Sequence, residues 1–135
     1  MIKVTITILA VMVMVFLLIF LFPVVKVEGD SMFPTFREGK LLWCRRLFKF
    51  NSDNCKVGKI YVIHLKDDEE GEPYFIIKRL NSKFCCNGHT LYDFRGDNVV
   101  VSYDSRHYGL IDSSQVVAKV IGRYKNAYQK GENNG

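Results

Sequence analysis

The sequence predicts a mainly β protein that carries one membrane-spanning helix at its N-terminus. Three observations lead there. Residues Val4 to Val25 hold no charge, and only Thr5, Thr7 and Pro23 interrupt the aliphatic and aromatic run. Beyond it, short runs rich in β-branched and aromatic residues recur between Gly, Asn and Asp turn signals, the pattern of successive strands. No later stretch keeps an apolar period of 3.6 residues over any length, so helices outside the first are expected to be short.

The apolar run is 22 residues long, roughly 33 Å as a helix, against a hydrocarbon core of about 30 Å. A cleavable secretory signal has a shorter apolar stretch, about 7–15 residues, and a small-x-small cleavage site. This run exits instead into Phe22-Pro23-Val24-Val25-Lys26. The expected organisation is an anchor over 1–25, one compact β domain over 26–125 and a polar tail over 126–135.

The strands are expected at Val24–Glu28, Lys40–Cys44, Lys59–Leu65, Tyr74–Leu80, Thr90–Phe94, Asn98–Ser102 and Gln115–Arg123. Each is bounded by turn-prone residues such as Gly29-Asp30 or Glu38-Gly39. The acidic run Asp67-Asp68-Glu69-Glu70 reads as a loop.

The chain has a net charge of +5, with Arg45, Arg46, Lys49, Lys56 and Lys59 close in sequence. Such a balance suits nucleic acid or an anionic membrane surface. Behind an anchor the lipid surface is the partner expected, and no nucleic acid is implied. Only Lys3 precedes the apolar run, so the positive-inside bias by itself would leave the domain in the cytoplasm. Cys44 and Cys55 could close a small loop by a disulfide in an oxidising compartment. Cys85-Cys86 are adjacent and give no C-x-x-C pair, so no zinc site or other cofactor is implied.

Three segments carry candidate chemistry. The first is Gly29-Asp30-Ser31-Met32-Phe33-Pro34-Thr35. A serine hydroxyl needs a base to act as a nucleophile, and a turn can leave backbone N–H groups free for an oxyanion. Alone, Ser31 would pass for a turn residue. The second is Lys78 in Phe75-Ile76-Ile77-Lys78-Arg79-Leu80. In a strand, Ile76, Lys78 and Leu80 share one face and Ile77 and Arg79 the other, so one of the two cations points where apolar residues pack. A lysine buried there loses hydration, its pKa falls, and the neutral amine can accept a proton. Two snorkelling surface cations are the blander outcome. The third is Gly96-Asp97-Asn98-Val99-Val100-Val101-Ser102-Tyr103-Asp104-Ser105-Arg106-His107-Tyr108-Gly109, where Asp104 and Arg106 can form a charge-assisted pair and Ser102 can orient an amine.

In this order behind an N-terminal anchor, Ser-Met-x-Pro-Thr, a Lys-Arg strand and Gly-Asp-Asn-x₃-Ser-x-Asp-Ser-Arg-x-x-Gly resemble the bacterial type I signal peptidases. Val57-Gly58-Lys59-Ile60-Tyr61-Val62 is similar to that family's Gly-Asp-Ile/Val-Val strand, with Lys59 in place of the usual acid. The resemblance implies a twisted antiparallel, barrel-like β-sheet domain and a membrane-bound serine endopeptidase acting through a Ser–Lys dyad. It makes Ser31 the nucleophile, with its own N–H as an oxyanion donor, and Lys78 the general base. Ser102 would hold the Lys78 amine, Asp104 and Arg106 would support the site, and Met32 and Pro34 would lie against the substrate. The partners implied are exported preproteins with small residues before the cleaved bond, together with membrane lipid. The implied location is the cell membrane, single-pass, with the catalytic domain extracytoplasmic.

The sequence departs from the family at two points. Gly29 stands where many members have a serine that completes the oxyanion hole, and the Lys-Arg strand runs into Asn81–Gly88 rather than a Gly-x-Pro-Gly-Asp turn. A histidine-based triad using His64, His89 or His107 is a weaker alternative, since none sits at the Lys78 position. A protease dedicated to one partner protein and a catalytically inactive, membrane-tethered β binding module are the other readings.

Overall fold

The structure, a computed structural model, describes residues 1–67 and 71–123. The acidic Asp68-Glu69-Glu70 and the polar tail anticipated over 126–135 lie outside the described residues.

Helix α1 covers Ile2–Leu21, and none of its residues is buried. It is long and apolar enough to cross a membrane. At 20 residues it measures roughly 30 Å. It stops earlier than the apolar run does. Pro23 has no N–H and disfavours helical geometry in the residue before it, and Phe22 accordingly leaves the helix at φ −122°. Val24 and Val25 belong instead to strand β1, Val24–Lys26.

The domain that follows is one sheet. Its strands after β1 are β2 (Leu41–Arg46), β3 (Ile60–Asp67), β4 (Pro73–Cys86), β5 (His89–Arg95), β6 (Ile111–Asp112) and β7 (Val116–Arg123). All pairings are antiparallel and the order is β1-β2-β7-β3-β4-β5-β6. Two single-turn helices accompany them, α2 (Lys49–Ser52) and α3 (Ser105–Tyr108).

Alternation along β3 divides the core in two. Val62 packs with Val27, Met32, Phe36, Leu42, Cys44, Ile60 and Ala118, while its neighbours Tyr61 and Ile63 pack with Cys55, Leu80, Tyr92, Phe94, Ile111 and Val116. Burying each such side chain is worth about 1.5–3 kcal/mol. Cys44 and Cys55 fall in different clusters and are free thiols. The possible disulfide between them is therefore not formed.

Two strand expectations fail. Asn98–Ser102 is a turn rather than a strand, closed by Ser102 N–H donating to the Asn98 carbonyl. Val99, Val100 and Val101 are exposed at its surface. β-branched residues favour strands only where the sheet offers a half-buried place for them. Conversely, β4 runs on through Asn81–Cys86, where the sequence pattern stopped at Leu80. There β4 and β5 form a hairpin across Asn87-Gly88, with Cys86 opposite His89. Both turn residues have positive φ, as this two-residue hairpin turn requires.

Candidate active site

Ser31 sits in the crossing segment between β1 and β2. The segment is fastened at its base by Val27 N–H to the Lys40 carbonyl and Gly39 N–H to the Val27 carbonyl. Met32 and Phe36, at 1% and 5% exposure, pin it to the first core cluster. Gly29 adopts φ +71° with open space around it, a backbone geometry natural to glycine. Ser31 itself stays half-buried.

Lys78 comes from β4, opposite Tyr61 of β3. It is only 4% exposed, and its Nζ lies 2.6 Å from Ser31 Oγ. That separation serves a hydrogen bond in either direction. An ammonium would donate to the hydroxyl, and a neutral amine would accept from it. Burial lowers the Lys78 pKa, and the negative charge of Asp104 partly opposes the shift. Desolvation wins because a charged amine loses most of its hydration in this position.

Asp104 is fully buried and heavily bonded. Arg106 donates to it through Nε at 2.9 Å and through a second guanidinium nitrogen at 2.7 Å. Gly96 N–H, the Ser102 hydroxyl and Arg106 N–H donate as well. Burial pushes the Asp104 carboxyl up, but the hydrogen bonds from Arg106, Gly96 and Ser102 outweigh it and hold the group well below the usual carboxylate range. The Ser102 hydroxyl thus gives its proton to Asp104. Among the described residues Lys78 is hydrogen-bonded to Ser31, not directly to Ser102, and Asp104 acts on it through its field.

The other half of the site escaped the reading of the sequence. Arg79, the neighbour of Lys78, holds Asp97 in a two-pronged pair at 2.8 and 2.6 Å. It also donates to the Gly58 carbonyl at 2.7 Å. The Thr35 hydroxyl donates to the same carboxylate. Asn98 then clasps the nucleophile segment twice, by its N–H to the Ser31 carbonyl and by its side-chain amide to the Asp30 carbonyl. Gly96 passes so close beneath that a Cβ there would lie 2.0 Å from Ser102 Oγ and 2.6 Å from the Ser31 carbonyl oxygen. The Gly-Asp-Asn triplet was visible in the sequence. What was missing was the fact that it faces the Ser31 turn.

A groove of about 750 Å³ opens beside Ser31 and Lys78, between the Val25–Met32 segment and the first half of β4. Met32 contributes to its wall, whereas Pro34 is exposed and lies outside the lining. β5 pairs with β4 only from Arg79 onward, so among the described residues Pro73–Lys78 has a strand partner on the β3 side alone. β1, on the opposite wall, is the terminal strand of the sheet. None of the histidines bonds to Ser31 among the described residues. His64 stacks near Phe75, and His107 Nδ1 accepts from Asp104 N–H.

The family model described as signal peptidase, peptidase S26, matches residues 1–82. The chain belongs to this family. The matched span takes in α1, Ser31 and Lys78, and ends before the Gly96–Gly109 segment. No curated protein matches the chain. Membership in the signal peptidase family supports a signal-peptidase-type function and serine-peptidase chemistry. Together with the apolar helix it supports association with a membrane.

Proposed function

We propose that this protein is a membrane-bound serine endopeptidase that removes N-terminal signal peptides from exported preproteins through a Ser31–Lys78 dyad. The observation that carries the proposal is the 2.6 Å approach of a buried, pKa-lowered lysine to the serine hydroxyl. Neutral Lys78 takes the Ser31 proton as Oγ attacks the scissile carbonyl. The Ser31 N–H stabilises the oxyanion of the tetrahedral intermediate. The Lys78 ammonium then protonates the departing amine, which leaves an acyl-enzyme. A water molecule gives its proton to Lys78 and attacks the acyl carbon, and the Lys78 ammonium returns that proton to Ser31 Oγ as the serine leaves. Ser–Lys pairs are a known variant of the triad logic.

The open flank of Pro73–Lys78 and the terminal strand β1 suit an extended peptide that adds main-chain hydrogen bonds to a sheet edge. The apolar part of the lining, with Val27, Met32, Val62 and Ile76, suits small uncharged side chains before the cleaved bond. The anchor holds this groove at the bilayer surface, where a signal peptide leaves the membrane, so substrate is met at a raised effective concentration. We assign the catalytic domain to the extracytoplasmic side, since whole domains can translocate regardless of their charge.

The test is incubation of the full chain with a labelled preprotein bearing Ala-x-Ala before the cleavage point, reading the new N-terminus. Ser31→Ala should abolish cleavage. Lys78→Met should cost at least about a hundredfold in turnover without lowering Tm, because it removes a buried amine and keeps the volume. Near-wild-type cleavage by either variant would refute the dyad.

A further inference from the structure

We propose that the returning end of β2, with Lys119 of β7 beside it, is a docking surface for the acidic phospholipid headgroups of the bilayer that α1 spans. The inference rests on the membrane reading given above and adds a lipid preference to it. β2 runs antiparallel to β1, with Trp43 opposite Val24. Past Trp43 it therefore heads back toward the helix. Arg46 meets the last turn of α1 directly, with its Nε donating to the Phe20 carbonyl at 2.9 Å and its guanidinium 4.4 Å from the Phe20 ring centre. When α1 fills the hydrocarbon layer, the stretch Trp43-Cys44-Arg45-Arg46 lies level with the headgroups.

The charges there are arranged at a cost that no ion pair among the described residues offsets. Arg45 stands directly opposite Lys119 across the β2–β7 pairing, and like charges in facing positions destabilise a sheet. Among the described residues neither cation has a carboxylate within ion-pair distance. The nearby Lys49 feels the field of Asp112, and Arg46 is held by the helix end. A phosphate diester placed between Arg45 and Lys119 would relieve their repulsion. Trp43 and Phe48, at 41% and 36% exposure, stand on either side of Arg45 in the chain, as interfacial aromatic residues stand at a membrane boundary. A sequence-level bias for orientation would not select Lys119, about a hundred residues beyond the anchor. Only the fold brings it to the helix exit.

Trp43 is the single tryptophan of the chain, so it reports on this surface alone. The full chain would be reconstituted in phosphatidylcholine–phosphatidylglycerol vesicles in which one or the other lipid carries a shallow bromine label at equal mole fraction. We expect Trp43 to be quenched several-fold more by brominated phosphatidylglycerol, since one basic residue near an anionic surface can add about fivefold in partitioning. The preference should vanish in Arg45→Gln/Lys119→Gln and persist in Arg37→Gln/Lys66→Gln, which removes the same charge elsewhere. High salt should remove it from the wild type while quenching by the zwitterionic label continues, a result independent of any variant's folding. Equal quenching by both lipids, or equal loss in both double variants, would overturn the proposal. Protein that fails to float with the vesicles would overturn the membrane reading beneath it.

Discussion

Asp104 and Asp97 come from one segment, and each is held by an arginine, yet they serve opposite halves of the site. Asp104 is wholly buried, and its arginine partner is 32% exposed. Asp97 is 16% exposed, and Arg79 is 36% exposed. Asp104 lies in electrostatic reach of Lys78 and raises its pKa against the pull of burial. Asp97 touches the nucleophile segment instead, through Thr35, and the adjacent Asn98 holds the Ser31 carbonyl. The difference teaches a division of labour within the proposed dyad. On the proposed dyad, the deeper carboxylate tempers the fall in proton affinity that burial imposes on the base, and the shallower one braces the serine segment.

The largest effect should come from breaking the deeper half. Asp104→Asn leaves Gly96 N–H, the Ser102 hydroxyl and Arg106 without their charged acceptor. Removing one member of a buried network costs about 3 kcal/mol, seen as a Tm drop of more than about 10 °C. The residual activity should have its alkaline rise shifted to lower pH, because the charge that raises the Lys78 pKa is gone. An unshifted pH profile would remove Asp104 from the account of the base.

Next in size is Gly96→Ala. The new methyl must displace Ser102 or the Ser31 carbonyl, and overpacking of this kind costs about 1–3 kcal/mol. Cleavage of the labelled preprotein should fall with it. Gly29→Ala, set in open space but at positive φ, should cost only about 1 kcal/mol. Equal losses in the two variants would mean that the close passage under Ser31 has no consequence of its own.

The smallest effect belongs to the shallower carboxylate. Asp97→Asn keeps the shape and loses the charge of a partly solvated pair, worth up to about 1 kcal/mol. We expect a modest fall in turnover with no displacement of the pH profile. A displaced profile would merge the two roles that separate Asp97 from Asp104.

The same three groups set how stability depends on pH. Both carboxylates have lowered pKa values in the fold, so their contribution is present above the unfolded pKa near 3.8 and is lost as pH falls through the folded values. Lys78 acts with the same sign in a higher pH window, by shedding an unfavourable buried charge. Its folded pKa lies below the ordinary lysine value of 10.5, so the unfolded chain binds more protons between the two values, and stability rises with pH across that window. Chemical denaturation at mildly acidic and at alkaline pH, comparing wild type with Lys78→Met, should show this alkaline gain in the wild type alone.

Much of this was legible along the chain. The apolar helix and six of the seven expected strands announce themselves by period or by residue type, whereas Ser31, Lys78, Ser102, Asp104 and Arg106 stand out only as ordered motifs that together resemble the family's. The misses have physical reasons. Val99-Val100-Val101 reads as a strand by composition, but the loop is held by Asn98 to the Ser31 turn and leaves those side chains in solvent. Asn81–Cys86 reads as an exit from β4, yet Asn87-Gly88 was a hairpin signal that outweighs the poor strand propensity of Asn and Ser. Asp97, Asn98, Thr35 and Arg79 could not be joined by inspection, because their contacts link segments up to 68 residues apart. Pro34 was placed against the substrate by resemblance; in the fold it is exposed and is not among the residues lining the groove.

The central claim is that the amine of Lys78 is neutral when it meets Ser31. Titration of the full chain in micelles, with lysine Cε carbons labelled and followed by NMR, reads that amine directly. The account predicts one lysine signal that titrates below the ordinary lysine value of 10.5 and is missing from Lys78→Met. Lysine signals that all titrate in the ordinary range, with the Lys78 signal among them, would contradict it.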